Sequence, residues 1–177
     1  DLPLPAGTIE DYPSYPVRAM MLDVARKYFP LNILKQYIRF LAYLKYSELH
    51  LHFNDASAGG YSAFRIESKK FPELTAKNGF YTQQEIKDLQ TYALQMGITI
   101  IPEFDSPGHA QCFTNIFPDL IQPELGANYL DILNKGTYSL MEKVFDEFVP
   151  LFSDSDIHIG TDESRLRACK DHAKKEK

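Results

Sequence analysis

Four short apolar runs, each ending against a carboxylate, constrain this chain most. They occupy residues 17–23, 48–53, 98–104 and 156–160, and they run into Asp23, Asn54 with Asp55, Asp105, and Asp162 with Glu163. Runs of that length with β-branched or alternating apolar residues read as buried strands. Helical spacing lies between them: Ile33, Leu34, Tyr37, Ile38, Leu41 and Leu44; then Ile86, Leu89, Ala93 and Met96; then Leu140, Val144, Phe145, Phe148 and Leu151. The second helix opens on a capping box, Thr82 with Glu85, and Gly97 stops it. Strands separated by helices pair in parallel, so the fold class is α/β.

A doubly wound sheet and a barrel both fit that order. No GxGxxG follows the first strand and no phosphate-loop lysine is present. Carboxylates at all four strand ends favour a (β/α)8 TIM-barrel type, because those ends converge on one mouth. A whole barrel takes about 250 residues, whereas this chain of 177 residues carries the strands of only the first four βα units. Residues 1–16, with Pro3, Pro5, Pro13 and Pro16, read as an extended lead-in, and residues 17–177 as the half-barrel. The region 105–136 reads as irregular with short helical turns, and a fourth helix is expected from Glu163 onward.

The net charge of -5 without a basic run argues against nucleic acid, and no apolar run reaches a membrane span of about 20 residues. The chain opens on Asp1 without a signal-peptide pattern, as expected of a processed or excised piece. Cys112 and Cys169 lie far apart and read as buried thiols. Asp162 and Glu163 admit two readings. They can cap a following helix, or they can form a catalytic pair in which one carboxyl stays protonated and the other ionised. Arg18 could equally pair with Asp23, and His50 and His52 read as packed, hydrogen-bonded core histidines. A metal site from His50, His52, His109 and His158 has no recognised ligand spacing.

Five ordered blocks decide between the readings of the acidic pair. They are Asp11-x-Pro13 followed by Arg18; Leu22-Asp23-x-Ala25-Arg26; His50-x-His52-Phe53-Asn54-Asp55; Pro102-Glu103-Phe104-Asp105-x-Pro107-Gly108-His109; and His158-x-Gly160-x-Asp162-Glu163. Together they resemble the glycoside hydrolase family 20 β-N-acetylhexosaminidases. The resemblance implies substrate-assisted retaining hydrolysis of a glycan with a terminal β-linked N-acetylhexosamine, without cofactor or metal. It implies Glu163 as general acid/base and Asp162 as the group orienting the 2-acetamido nitrogen. Asp55, Asp105, His109 and His158 would support the pair, and Arg18 would bind the terminal sugar. It also implies a secreted, cell-surface or periplasmic location.

Two departures accompany the resemblance. After Asp55 the family's second acidic residue is replaced by Ala56 and a longer loop, which points towards a lacto-N-biosidase-type specificity as the alternative. The chain also has no Trp, whereas the family's substrate-lining tryptophans come from later strands. A non-catalytic carbohydrate-binding half-barrel therefore stands as a further alternative. Open strand edges, with Met20, Leu22, Leu51, Phe53, Ile101 and Ile159 as candidates for the inner face, predict self-association. They also predict that the isolated piece turns over near background.

Overall fold

The computed structural model describes residues 6–56, 61–152 and 156–165. Three parallel strands form its centre: β1 (Ala19–Asp23), β2 (Glu48–His52) and β5 (Thr99–Glu103), in the order β1-β2-β5. Two hairpins branch from that frame. β3 (Asn54–Ala56) pairs with β4 (Ser62–Phe64), and β6 (Ile121–Gln122) pairs with β7 (Gly126–Leu130), both antiparallel. The helices are α1 (Leu31–Tyr43), α2 (Gln83–Gln95), the single turn α3 (Gln111–Thr114) and α4 (Lys135–Phe148).

The expected strands and main helices therefore stand, with corrections at their edges. The fourth strand is reduced to one parallel bridge, Glu103 with His158, held by His158 N–H to Pro102 O at 2.9 Å and Phe104 N–H to His158 O at 3.0 Å. The stretch expected to be irregular contains the β6–β7 hairpin. α4 begins earlier than its apolar spacing indicates because the Asn134 side chain accepts the Gly136 N–H at 2.8 Å, an N-cap the apolar pattern does not mark. The fourth helix expected from Glu163 does not start there, since residues 163–165 are a turn followed by irregular chain; its remainder, residues 166–177, lies outside those described, as do Cys169 and the glycines at 59 and 60. The capping box of α2 forms as expected: Thr82 N–H donates to Glu85 Oε2 at 2.8 Å, and Glu85 N–H donates to Thr82 Oγ1 at 3.1 Å.

The core lies between the sheet and its helices. Leu49, Leu51 and Phe53 from the second strand segment join Ile98, Ile100 and Phe104 against Leu34, Ile38 and Leu41 of α1 and Ile86, Leu89 and Ala93 of α2, all buried. Phe104 is its aromatic centre, with ring centroids 5.4 Å from Phe148, 5.9 Å from Phe64 and 6.1 Å from Phe53. This corrects the expected inner face by one residue on β1 and β2, while Ile101 of β5 stays on it. Met20, Leu22, Leu51 and Phe53 pack towards the helices, and the residues that alternate with them face the other way. Side chains in a strand repeat with period two, so a one-residue slip exchanges the faces completely. The inner face is Met21, Asp23, His50, His52, Ile101 and Glu103, which is where the polar residues collect.

Candidate active site

The ladder register brings that inner face into one group. Asp23, His52 and Glu103 stand side by side across β1, β2 and β5, one step above Met21, His50 and Ile101. Asp55 follows on β3, Asp105 lies two residues past β5, and His109 comes at the turn before α3. Glu103, Asp55, His109, Asp162 and Glu163 line a cavity of 460 Å³ together with His50, His52 and His158.

Asp55 is fully buried and holds the centre of this group. Its Oδ1 accepts from His109 Nδ1 at 3.0 Å and from the Ala56 N–H at 2.5 Å. Its Oδ2 takes His52 Nε2 at 2.8 Å and the Arg26 guanidinium at 2.6 Å. Arg26 also pairs with Asp23 at 2.8 Å, so the Arg18–Asp23 pairing is not formed. On the far side of His109, Nε2 lies 3.5 Å from Asp162 Oδ2 and 3.9 Å from Glu163 Oε2. The imidazole thus stands between a buried carboxylate and an acidic pair whose side chains are 66% and 60% exposed.

Asp105 holds the segment that carries the pair. Its backbone N–H donates to Asn54 Oδ1 at 2.8 Å, while Asn54 Nδ2 donates to Asp105 O at 2.9 Å and to His109 O at 3.1 Å. Its carboxylate accepts the Thr161 N–H at 3.0 Å, and its Oδ2 is buried with no hydrogen-bond partner among the described residues. Gly160 passes so close that a Cβ there would sit 1.9 Å from Asp105 Oδ1, and its φ of +67° favours glycine. His109, Thr161 and Glu163 also adopt positive φ, 53°, 78° and 51°. Backbone strain of this kind gathers at functional sites.

Two residues whose roles the sequence did not disclose complete the site. Glu103 accepts from His52 Nδ1 at 2.6 Å and His50 Nε2 at 3.0 Å on Oε2, and lies 3.0 Å from His158 Nδ1 on Oε1. A carboxylate inside the aliphatic run of β5 was the available signal. The other is Arg65, 1% exposed, which donates to the Val24 and Ala25 carbonyls and to Asn78 and Gly79, and so ties β4 to the loop after β1. Arg18 stands apart from the group. It precedes β1 and donates to the carbonyls of Lys45 at 2.6 Å and Tyr15 at 2.7 Å, at the end of the strand opposite Asp23. His50, Glu103 and His158 offer three ligand atoms within 4.8 Å of one another, but those atoms are engaged with each other.

The electrostatics follow from these contacts. Burial resists charge on His52, but its bonds to Asp55 and Glu103 outweigh that and raise it from 6.5 to about 10. Burial likewise opposes charge on Asp55, and the His109 and His52 bonds overcome it, so the carboxyl is held well below its usual range. Glu103 is held low in the same way by His50 and His52. The carboxyl pushed up is Asp105, by burial above all and by the neighbouring Asp162, to about 7.

These shifts set how stability varies with pH. A raised value contributes stability that is complete below the unfolded value and lost as pH climbs through the folded one. For Asp105 that loss runs from 3.8 towards about 7, and for His52 from 6.5 towards about 10. Asp55 and Glu103 act oppositely, losing stability as pH falls below their usual range. The urea midpoint is therefore expected to peak at about pH 4 to 5 and fall steadily to pH 10. A midpoint that rises between pH 7 and 10 would contradict these assignments.

Known proteins resemble this chain in sequence and in fold. Residues 15–176 match the catalytic domain of glycosyl hydrolase family 20. The chain is 37% identical over 166 residues to the beta-hexosaminidase subunit A1 of Dictyostelium discoideum, covering 88% of this chain and 30% of that protein. It is 33% identical to a beta-hexosaminidase of Vibrio furnissii, over 92% of this chain and 31% of that one. Among solved structures, a Flavobacterium johnsoniae chitobiase superposes with a TM-score of 0.81 at 31% identity, over 94% of this chain and 27% of that one. An exo β-N-acetylglucosaminidase of Vibrio harveyi, in complex with N-acetylglucosamine, gives 0.76 at 30% identity, over 93% of this chain and 31% of that one. The chain spans about a third of the length of the curated relatives it matches. Its α/β fold, its ordered motifs and the span of the match agree, and the chain belongs to glycosyl hydrolase family 20.

Proposed function

We propose that this chain carries the acid-bearing part of a β-N-acetylhexosaminidase acting on glycans with a terminal β-linked N-acetylglucosamine or N-acetylgalactosamine. One observation supports it above the rest: His109 bridges the buried Asp55 and the exposed Asp162 and Glu163. A helix-capping pair needs no imidazole backed by a buried carboxylate.

In the proposed reaction the 2-acetamido oxygen attacks the anomeric carbon while the glycosidic C–O bond breaks. Glu163 delivers its proton to the departing oxygen. Asp162 accepts a hydrogen bond from the acetamido N–H and faces the positive charge of the oxazolinium ring. Glu163, now a carboxylate, takes a proton from water as that water attacks the same carbon; the ring bond from that carbon to the acetamido oxygen breaks, the acetamido group is restored, and the β configuration returns. The acetamido group thereby replaces the enzyme nucleophile of the ordinary retaining scheme.

Asp162 gives the direct test. In a complete barrel carrying this segment, Asp162→Asn should weaken binding of a thiazoline mimic of the oxazolinium by about tenfold or more, the scale of a hydrogen bond to a charged group. Calorimetric titration reads it, with the far-ultraviolet spectrum confirming the fold. Unchanged thiazoline affinity would reduce Asp162 to a turn-forming residue and remove the substrate-assisted reading.

A further inference from the structure

The hydrogen bonds behind His109 do not stop at Asp55. Asp55 receives two fixed donors, the Ala56 N–H and the Arg26 guanidinium, and has ring nitrogens of His109 and His52 within 3.0 Å. A carboxyl paired with a guanidinium, which is always charged, is ionised. Glu103 lies between His52 and His50, with His158 beside it, and those imidazoles hold it ionised against its burial. His52 lies between the two, Nδ1 at 2.6 Å from Glu103 and Nε2 at 2.8 Å from Asp55, with 5% of its surface exposed. A neutral imidazole has one N–H and cannot donate to both.

We propose that His52 and Glu103 are positioning residues for the reacting group: a buried imidazolium clamped between two carboxylates, which fixes His109 with Nδ1 protonated on Asp55 and Nε2 turned towards Asp162 and Glu163. This deepens the hexosaminidase reading and rests on it for the role of Glu163. The clamp has two effects. It fixes the orientation of Asp55 from the side away from the cavity mouth, so Oδ1 remains aimed at His109. It also adds a second cation beside Arg26 against Asp55, which weakens the pull of that carboxylate on a proton at His109. Glu103 supplies the second anion that keeps the His52 cation in a buried site, where an unpaired charge is costly. The groups facing His52 are Glu103 on β5, Asp55 on β3, the Asp105 carboxylate, the His109 ring at 6.1 Å, and, through shared carboxylates, His50 and Arg26.

Imidazole nitrogen resonance of the full chain tests the clamp without requiring turnover. In the wild type, both ring nitrogens of His52 should remain protonated at pH 8, while an ordinary histidine, titrating near 6.5, has lost one proton by then. A bare nitrogen on His52 at pH 7 would overturn the proposal. That measurement stands even where a substitution fails to fold. Glu103→Gln should move the His52 titration down by about 1 to 3 pH units, the effect of one close anion. His52→Gln keeps the volume and removes the cation, so the His109 titration should rise, because Asp55 is then shared with no second imidazole. A His109 titration that is unmoved or falls would show His52 to be only core packing. The two readings fail separately. If these titrations hold while Glu163→Gln leaves cleavage intact in a complete barrel, the hexosaminidase role falls and the clamp remains. If His52 is neutral while Glu163→Gln abolishes cleavage, the clamp falls alone.

Discussion

Glu163→Gln should depress cleavage of an N-acetylglucosaminide with a poor, alkoxide-like leaving group by at least about 10²-fold in a complete barrel, the scale of general acid catalysis. Glutamine keeps the shape and the hydrogen-bonding reach of the side chain but has no carboxyl proton to deliver. A substrate with an activated phenol leaving group needs little protonation, and its first step should lose far less. The comparison therefore separates proton delivery from damage to the pocket, which would slow both substrates alike. Equal losses would withdraw the acid role from Glu163. The position of the residue suits proton delivery, since its side chain is 60% exposed, open to an incoming sugar, and lies 3.9 Å from His109 Nε2.

Gly160→Ala should be nearly as damaging, although no proposed chemistry involves that residue. The added carbon would stand 1.9 Å from Asp105 Oδ1 and 2.8 Å from Asp105 Cα, and backbone at that distance cannot swing away. The φ of +67° adds about 1 to 2 kcal/mol for any residue with a Cβ, and forcing atoms into a filled site typically adds about 1 to 3 kcal/mol. Relief comes by moving the 158–163 segment off Asp105, which breaks the Thr161 contact and shifts both acids. A displacement of about 1 Å costs roughly 10²-fold in rate, so activity should fall on that scale along with the unfolding midpoint. Gly97→Ala is the control. Its φ is +75° but nothing lies within 4 Å of the added carbon, so it should cost only the conformational part and leave turnover alone. Wild-type turnover in Gly160→Ala would mean the Asp105 packing does not hold the acids in place.

The outline of the fold was legible because strand and helix periods differ so plainly here. Aliphatic runs gave β1, β2 and β5, and Thr82 with Glu85 gave the start of α2. What periodicity could not give was the facing of the strands. In the run of residues 48–53 the leucines and histidines alternate, and either set can be taken as the interior of a barrel. The helices claim Leu49, Leu51 and Phe53, which leaves His50 and His52 to the mouth. From their motifs the acidic pair, Asp55, Asp105 and His109 were picked out as candidates. Glu103 was not, because its importance lies in accepting hydrogen bonds from His50 and His52, residues 53 and 51 positions away. The two hairpins escaped for a related reason, being short, polar and set by pairing with distant chain more than by their own pattern. Arg18 resisted in another way: its motif placed it with the sugar, whereas its side chain here engages backbone carbonyls at the other end of β1.

The single bridge at His158 has a dynamic meaning. β2 is paired along its whole length on both sides, and its apolar face is sealed under α1 and α2. Among the described residues, the backbone of the segment bearing Asp162 and Glu163 is tied to the rest by the two bonds around His158 and the Thr161 contact to Asp105, with the His158–Glu103 and His109 side-chain contacts beside them. Elements held by few bonds and little buried surface open locally at a free-energy cost far below that of global unfolding. The acids and their support therefore belong to different cooperative units. Amide exchange should run fast at His158 and Thr161 and slowly at Leu49 and Leu51, and the site should come apart by letting go of its acids while Asp55, His52 and Glu103 stay folded together.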